Sequence, residues 1–98
     1  MSSRTIEDYS KALSLDPKLS YAWFNRGNLK CRLKDYNGAV QDYSLAIENE
    51  PSLAEAWFNR GLTLIYLNDR ANACNDLSKA GELGIQEAYR VIQQFCKK

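Results

Sequence analysis

The chain has 98 residues, which is enough for one domain and too short for a second hydrophobic core. It is 45% hydrophobic and 26% charged with 5 Gly and 2 Pro, a composition typical of a folded domain that excludes collagen, linker and disordered sequence. Its formal net charge is +1, so bulk charge does not direct it to nucleic acid or to an anionic membrane. Histidine, the commonest general base and metal ligand, is absent. We therefore expect no enzyme activity, no metal and no cofactor.

Two further classes are excluded by spacing. The 5 glycines form neither of the phosphate-binding patterns GxGxxG and GxxxxGK[ST]. The longest largely apolar run, residues 62–67, is far shorter than the ~18 to 20 apolar residues that a membrane span requires. We therefore expect no nucleotide chemistry and no membrane insertion, and the near-neutral net charge already argues against a nucleic-acid partner.

The first predicted element is a helix over residues 3–15. Its residues Tyr9, Ser10 and Ala12 match a later segment 34 positions on, so we interpret residues 3–17 as the second helix of a truncated repeat. The helix would then lack the partner that covers its apolar stripe, which consists of Ile6, Tyr9, Ala12 and Leu13. Self-association through residues 3–15 is the consequence that we expect.

An internal repeat dominates the middle of the chain. The block from Ala22 to Gly27 (Ala-Trp-Phe-Asn-Arg-Gly) recurs from Ala56 to Gly61, an offset of 34 residues. Apolar residues within each copy follow helical spacing in two segments, which predicts a helical hairpin. The turn is predicted at Lys34 and Asp35, with Asp35 capping the second helix, as Asp69 does one repeat later. Small residues at Gly27 and its equivalents would let the helices approach closely.

The last predicted element, residues 85–98, resembles the start of another first helix. Ala88 and Tyr89 stand where the preceding repeat has Ala56 and Trp57, after a turn at residues 81–84. Since no second helix follows in this sequence, we interpret the segment as a capping helix.

The 34-residue period, with Trp, Gly, Ala, an aromatic, Ala and Pro in this order, resembles the tetratricopeptide repeat. The third unit departs from the pattern, because Leu77 replaces the aromatic residue. The resemblance implies an all-α fold, an antiparallel helix-hairpin solenoid of about six helices in a right-handed superhelical stack. It implies a C-terminal fragment forming one domain over residues 1–98, divided into a truncated repeat (3–17), two full repeats (20–53 and 54–84) and a capping helix (85–98).

This resemblance also implies a function: a protein-interaction scaffold that binds a peptide or a helix of a partner protein in a concave groove. The alternative is a structural module that self-assembles or caps a longer solenoid. The residues expected to line the groove are Tyr21, Phe24, Asn25, Asn28, Arg32, Glu55, Phe58, Asn59, Leu62, Ile65 and Tyr66.

Asn25 and Asn59 are the sharpest candidates in this set, because a carboxamide can pair with any peptide backbone. The alternative for each is a hydrogen bond to a neighbouring helix, or solvent. Phe24 and Phe58 would be apolar anchors, or else packing residues. Some members of the family clamp the terminal carboxylate of chaperone tails with basic residues. Phe24 and Glu55 occupy two of those basic positions here, so we do not expect that clamp and favour an extended or helical segment with apolar anchors.

Charged residues recur at the same interval. Arg26 and Arg60 are matched by Asp8, Asp42 and Asp76, so we predict ion pairs between adjacent helices. Each would contribute ~1 kcal/mol or less if it is exposed.

The three cysteines, Cys31, Cys74 and Cys96, have no zinc-site spacing. Helical rise brings Cys74 and Cys96 within about a turn of each other across the last hairpin. They either form a disulfide, which would place the protein in an oxidising compartment outside the cytoplasm, or stay thiols in a reducing cytoplasm. The compartment is left open.

Overall fold

Six α-helices follow one another in the computed structural model, which describes residues 2–96 and the side chains of residues 5–96. They are α1 (Ser2–Leu15), α2 (Ser20–Arg32), α3 (Tyr36–Asn49), α4 (Ala54–Tyr66), α5 (Arg70–Glu82) and α6 (Glu87–Phe95). Residues 97–98 of the predicted capping segment lie outside the described residues. None of the six helices is long and apolar enough to cross a bilayer.

The helices pack in chain order. α2 pairs with α3 and α4 pairs with α5, while α1 packs on α2, α3 on α4 and α6 on α5. The resulting stack measures 43 × 25 × 17 Å. The all-α architecture of antiparallel helical hairpins that the repeat predicts is confirmed. Each hairpin lies within one of the proposed repeats, whose exact limits stay a prediction.

Both predicted aspartate caps are present. The Asp35 carboxylate accepts a hydrogen bond from the Gly38 N–H at 3.1 Å, and that of Asp69 accepts one from the Asn72 N–H at 3.4 Å. Each cap satisfies an N–H group that has no partner within its own helix. The caps therefore define where α3 and α5 begin.

Left-handed residues end the first helix of each hairpin. Lys34 follows α2 and Asn68 follows α4, both with φ of 65°. The next N–H closes each turn: Asp35 donates to the Lys30 carbonyl at 2.8 Å, and Asp69 donates to the Leu64 carbonyl at 2.8 Å. This is the Schellman arrangement, in which glycine normally holds the left-handed position. Side chains occupy that position here at a conformational cost.

In each hairpin a glycine of the first helix lies against a large side chain of the second helix. A Cβ added at Gly27 would lie 2.8 Å from the Tyr43 ring, and one at Gly61 would lie 2.9 Å from Leu77. The hydrophobic core consists of two clusters of buried residues: Ala46, Ile47, Leu53 and Ala56 in the first, and Leu77, Ala80 and Ala88 in the second. The prediction that small residues allow the helices to approach is confirmed.

One expectation for α1 is wrong. Leu13, which belongs to the stripe predicted to be uncovered, is only 4% exposed. The reason is that α1 packs on α2, the first helix of the following hairpin, and this contact covers Leu13 without a preceding helix. Ile6, Tyr9 and Ala12 are half-buried, so the stripe is partly covered.

Candidate functional site

A cavity of about 410 Å³ lies where α2, α3 and α4 meet, and we call it the central cavity. Its size is within the ~300 to 1,000 Å³ of typical ligand pockets. It is lined by Asn28, Cys31, Arg32, Tyr36, Tyr43, Asn59, Leu62, Thr63 and Tyr66.

Sequence reasoning located part of this lining. The predicted groove residues that line the cavity are Asn28, Arg32, Asn59, Leu62 and Tyr66. The predicted residues that do not line it are Tyr21, Phe24, Asn25, Glu55, Phe58 and Ile65. Four lining residues were missed: Cys31, Tyr36, Tyr43 and Thr63.

Two asparagine amides meet at the cavity. Asn59 Nδ2 donates to Asn28 Oδ1 at 3.0 Å, and the Tyr43 hydroxyl donates to the same oxygen. An amide oxygen has two lone pairs, so Asn28 Oδ1 is saturated. What Asn28 keeps for a ligand is its NH₂ group, a donor. Asn25, which holds the same repeat position as Asn59, is half-buried and lies outside the cavity.

Cys31 continues this polar network. Its sulfur lies 3.3 Å from Thr63 Oγ1 and 3.6 Å from the Tyr43 hydroxyl oxygen. The Thr63 hydroxyl donates to the Asn59 carbonyl at 2.7 Å, which leaves the Cys31 thiol as the donor of its pair with Thr63. Burial raises the pKa of Tyr43, and the neighbouring Cys31 sulfur raises it further. Tyr43 therefore stays a neutral hydrogen-bond donor at physiological pH.

A pair of stacked tyrosine rings forms one side of the cavity. The centroids of Tyr36 and Tyr66 are 5.1 Å apart and their planes are within 1° of parallel. Tyr66 is 73% exposed, so one face of the pair is open to solvent. Arg32 also lines the cavity and is exposed. Among the side chains of residues 5–96 it forms no salt bridge with an acidic residue. The cavity therefore combines an aromatic surface with hydrogen-bond donors.

The two predicted aromatic anchors have packing contacts. The Phe24 ring lies 5.8 Å from that of Tyr43, centroid to centroid, and 6.4 Å from that of Tyr21. Phe58 and Ile65 pack against the cluster of Leu77, Ala80 and Ala88. These contacts correspond to the packing alternative for both phenylalanines. Glu55 and Tyr21 are exposed, away from the cavity lining.

Arg26 links three helices on the other side of α2. Its Nε and Nη2 donate to the two carboxylate oxygens of Asp42, both at 2.8 Å, and its Nη1 donates to Ser10 Oγ at 2.8 Å. The hydrogen bond with Asp42 raises the pKa of Arg26, against an opposing effect of burial. Lys30 lies 3.3 Å from the same carboxylate. The predicted Arg26–Asp42 pair is confirmed, and Asp42 is only 1% exposed, so the small contribution expected of an exposed pair does not apply.

The same arrangement recurs one repeat later. Arg60 donates to Asp76 at 2.7 and 2.8 Å and to Ser44 at 3.0 Å. Its guanidinium also lies 5.2 Å from the Trp57 ring centroid, as that of Arg26 lies 5.0 Å from Trp23. Both arginines are thus fully engaged within the stack, and we assign them a structural role.

Cys74 and Cys96 are joined by a disulfide in the structure. Their Cα atoms are 5.9 Å apart, and the bond connects α5 to the residue that follows α6. This separation is within the range that a disulfide requires. Cys31 is a free thiol. The described residues contain no group of three side chains that could hold a metal ion.

Comparison with known proteins gives a consistent result. The model described as tetratricopeptide repeat matches residues 20–53, and a second model of the same description matches residues 54–83. No curated protein sequence matches the chain. A similar solved structure is the first such domain of Spaghetti (RPAP3) bound to the HSP90 peptide SRMEEVD, with a TM-score of 0.88 and 27% identity over 93% of this chain and 74% of that one.

Two further solved structures share the fold at lower identity. YrrB, a tetratricopeptide repeat protein with an unusual peptide-binding site, has a TM-score of 0.85 and 21% identity over 94% of this chain. MamA has a TM-score of 0.83 and 21% identity over 86% of this chain. The chain covers 48% of YrrB and 50% of MamA, about half of each.

Proposed function

Because the chain belongs to the tetratricopeptide repeat family, we propose that it is a protein-interaction scaffold that binds a peptide or a helix of another protein in the central cavity. The observation that carries the proposal is the hydrogen bond of 3.0 Å from Asn59 Nδ2 to Asn28 Oδ1, which connects successive hairpins. Both side chains line the central cavity beside the exposed ring of Tyr66. Fixed amide groups pair with a ligand's backbone, and exposed ring faces bind its apolar side chains. The RPAP3 domain, which is bound to an HSP90 peptide, supports a peptide as the ligand.

The proposed ligand differs from the acidic chaperone tail of that neighbour. Among the residues that the structure describes, Arg32 is the one charged residue in the lining of the cavity, and no lysine lies there. A terminal carboxylate would meet a single exposed cation, and an exposed ion pair contributes only ~0 to 1 kcal/mol. We therefore propose a ligand held by its backbone and by apolar side chains.

Selection from a random peptide library displayed on phage, followed by titration of the selected peptides, tests the proposal. Asn28→Ala and Asn59→Ala should each weaken binding by about tenfold, because each leaves a polar group of the bound peptide unpaired. Asn75→Ala is the matched control, since Asn75 is an exposed asparagine on α5 outside the cavity. Asn25→Ala then decides whether the binding surface extends beyond the cavity.

Backbone amide spectra recorded during the titration locate the peptide. Binding in the cavity should shift the signals of Asn28, Asn59 and Tyr66 and leave those of α5 near Asn75 unchanged. A library that yields no binder, or binders whose shifts cluster on α5, would contradict the proposal.

A second candidate is the structural module, through self-association of residues 3–15. The observation that favours it is apolar exposure around α1: Leu15 is 83% and Leu19 41% exposed, and Ile6 is half-buried. Burial contributes about 25 cal/mol per Å² of apolar area, so dimers should form at high concentration. Sedimentation of the chain and of an Ile6→Glu variant distinguishes the cases, and a monomer at millimolar concentration would exclude this candidate.

A further inference from the structure

We infer that the ligand of the central cavity is a proline-rich segment in the polyproline II conformation, an inference that rests on the proposed function. Three properties of the cavity carry it: its unequal supply of donors and acceptors, its open aromatic face and its single charge.

The first property is the excess of hydrogen-bond donors. Asn28 Oδ1 already accepts from Tyr43 and Asn59, so Asn28 offers a ligand only its NH₂ group. The Thr63 hydroxyl hydrogen is committed to the Asn59 carbonyl, so Thr63 adds no donor, and the Tyr36 and Tyr66 hydroxyls can each both donate and accept. Arg32 adds a guanidinium, which has five N–H donors and no acceptor. The Asn59 side-chain oxygen is the one amide oxygen in the lining that accepts no hydrogen bond from the side chains described.

An ordinary extended peptide brings one N–H and one C=O per residue and needs acceptors as well as donors. Proline brings a C=O and no N–H. A run rich in proline therefore supplies the acceptors that Asn28 and Arg32 require, and it leaves few N–H groups to be satisfied by the cavity. The polyproline II backbone, which has no internal hydrogen bonds, leaves those carbonyls free.

The second property is the ring pair. Tyr36 supports Tyr66 from one side at 5.1 Å and holds it parallel, while Tyr66 is 73% exposed. A flat aromatic face held in this way is the surface on which proline-rich segments dock in other recognition domains. Because the segment is already stiff before it binds, less conformational entropy is lost on docking.

The third property is charge. Arg32 is the one charged residue among the described residues of the lining. Its positive charge repels a basic peptide, although the face of Tyr66 alone would attract a cation. An acidic peptide would gain only one exposed ion pair and would cover the rings poorly. A neutral peptide with carbonyl oxygens and apolar rings matches both the cation and the aromatic pair.

The test compares three synthetic peptides by calorimetry. The first is Ac-(Pro-Pro-Ser)₃-NH₂, the second is its matched control Ac-(Ala-Ala-Ser)₃-NH₂, and the third is acidic, Ac-Ser-Ala-Asp-Glu-Glu-Asp with a free carboxyl terminus. We expect the proline peptide to bind at least tenfold more tightly than either of the others. Equal affinity of the first two, or tighter binding of the acidic peptide, overturns the inference.

Variants then assign the binding to the cavity. Tyr66→Ala should weaken the proline peptide at least fivefold and Tyr66→Phe should preserve it, whereas Tyr89→Ala, an exposed tyrosine outside the cavity, should have no effect. Asn28→Asp replaces the NH₂ donor by an anion of the same shape and should weaken binding at least tenfold. Asn75→Asp, the same change at an exposed asparagine on α5 outside the cavity, is the matched control. Circular dichroism of each variant confirms that it is folded.

Failure of the inference and failure of the proposed function give different results. If displayed random peptides bind the cavity without proline, the scaffold function stands and the proline preference is wrong. If neither displayed nor synthetic peptides bind, both are wrong. The inference is also overturned if Tyr89→Ala weakens binding as much as Tyr66→Ala does, or if Asn75→Asp weakens it as much as Asn28→Asp does.

Discussion

Substitution of Asp42 by alanine tests the energetic role of the buried ion pair. Asp42 is 1% exposed and accepts two hydrogen bonds of 2.8 Å from Arg26, with Lys30 3.3 Å away. The alanine removes the only anion that these two cations contact among the described residues. Two positive charges, each with a side chain less than one-fifth exposed, would then lie side by side without a partner.

The expected cost is large on the scale of this domain. Removing one partner of a buried pair costs ~3 to 5 kcal/mol, because the remaining charge stays desolvated. The free energy of unfolding of a domain of this length is ~5 to 15 kcal/mol. At ~4 to 8 °C per kcal/mol, the Tm should fall by on the order of 20 °C.

The assay is urea and thermal unfolding followed by circular dichroism. Asp76→Ala is the matched control: it removes the equivalent partner of Arg60, but Leu64 stands where Lys30 does, so only one cation is left unpaired. We expect it to cost less than Asp42→Ala. The double variant Arg26→Met/Asp42→Leu, which replaces the arginine and the carboxylate by apolar groups, should restore the part of the lost stability that comes from Arg26, while Lys30 stays unpaired.

A buried, desolvated ion pair is refuted if Asp42→Ala lowers the free energy of unfolding by less than about 1 kcal/mol, since the pair would then act as an exposed one. It is equally refuted if the double variant is as unstable as the single one. The loss would in that case come from packing around residue 42 and not from unpaired charge.

Three other changes have defined outcomes. Reducing the Cys74–Cys96 bond, which closes a loop with a sequence separation of 22, should lower the free energy of unfolding by ~3 kcal/mol. Thiol titration of unreduced, denatured protein should find one free thiol, Cys31, and a count of three would contradict the bond. Lys34→Gly should raise that free energy by about 1 kcal/mol in urea unfolding, because Lys34 has φ of 65°, and a loss would contradict this. Burial raises the pKa of Tyr43 in the folded protein. Above pH ~10, the pKa of an unperturbed tyrosine, the unfolded chain therefore loses this proton before the folded protein does. The free energy of unfolding then falls as the pH rises, by up to ~1.4 kcal/mol per pH unit from this residue. Tyr43→Phe should lose this contribution between pH ~10 and ~12, and equal slopes in the two proteins would contradict it.

The fold could be predicted because its determinants are local. Gly27 and Gly61 hold one repeat position, and each is flanked by the same block of residues, so the offset of 34 is visible in one sequence. The steric reason for glycine is equally direct, since Tyr43 and Leu77 occupy the space of its missing Cβ. Helical spacing and capping aspartates then define the hairpins.

The cavity was harder to predict because it forms between repeats. Asn25 and Asn59 are equivalent in the pattern, yet only Asn59 meets Asn28 of the repeat before it. The equivalent contact for Asn25 would need a residue 34 positions before Asn28, which is outside this sequence. The Tyr36–Tyr66 stack depends on the angle between hairpins, which residue spacing does not encode. One signal was available: Thr63 is a polar residue inside the apolar run of residues 62–67.

The disulfide also determines how the chain transmits mechanical force. A pull applied through Lys97 and Lys98 enters the fold at Cys96 and passes through the sulfur bond directly to Cys74, so α6 and most of α5 bear none of the tension. The segment between Cys74 and Cys96, which have a sequence separation of 22, cannot extend while the bond is intact. At ~3.6 Å per residue, the oxidised chain should unfold under tension with a contour about 80 Å shorter than the reduced chain. Reduction would thus convert the last helix from a shielded element into the first one to be pulled away.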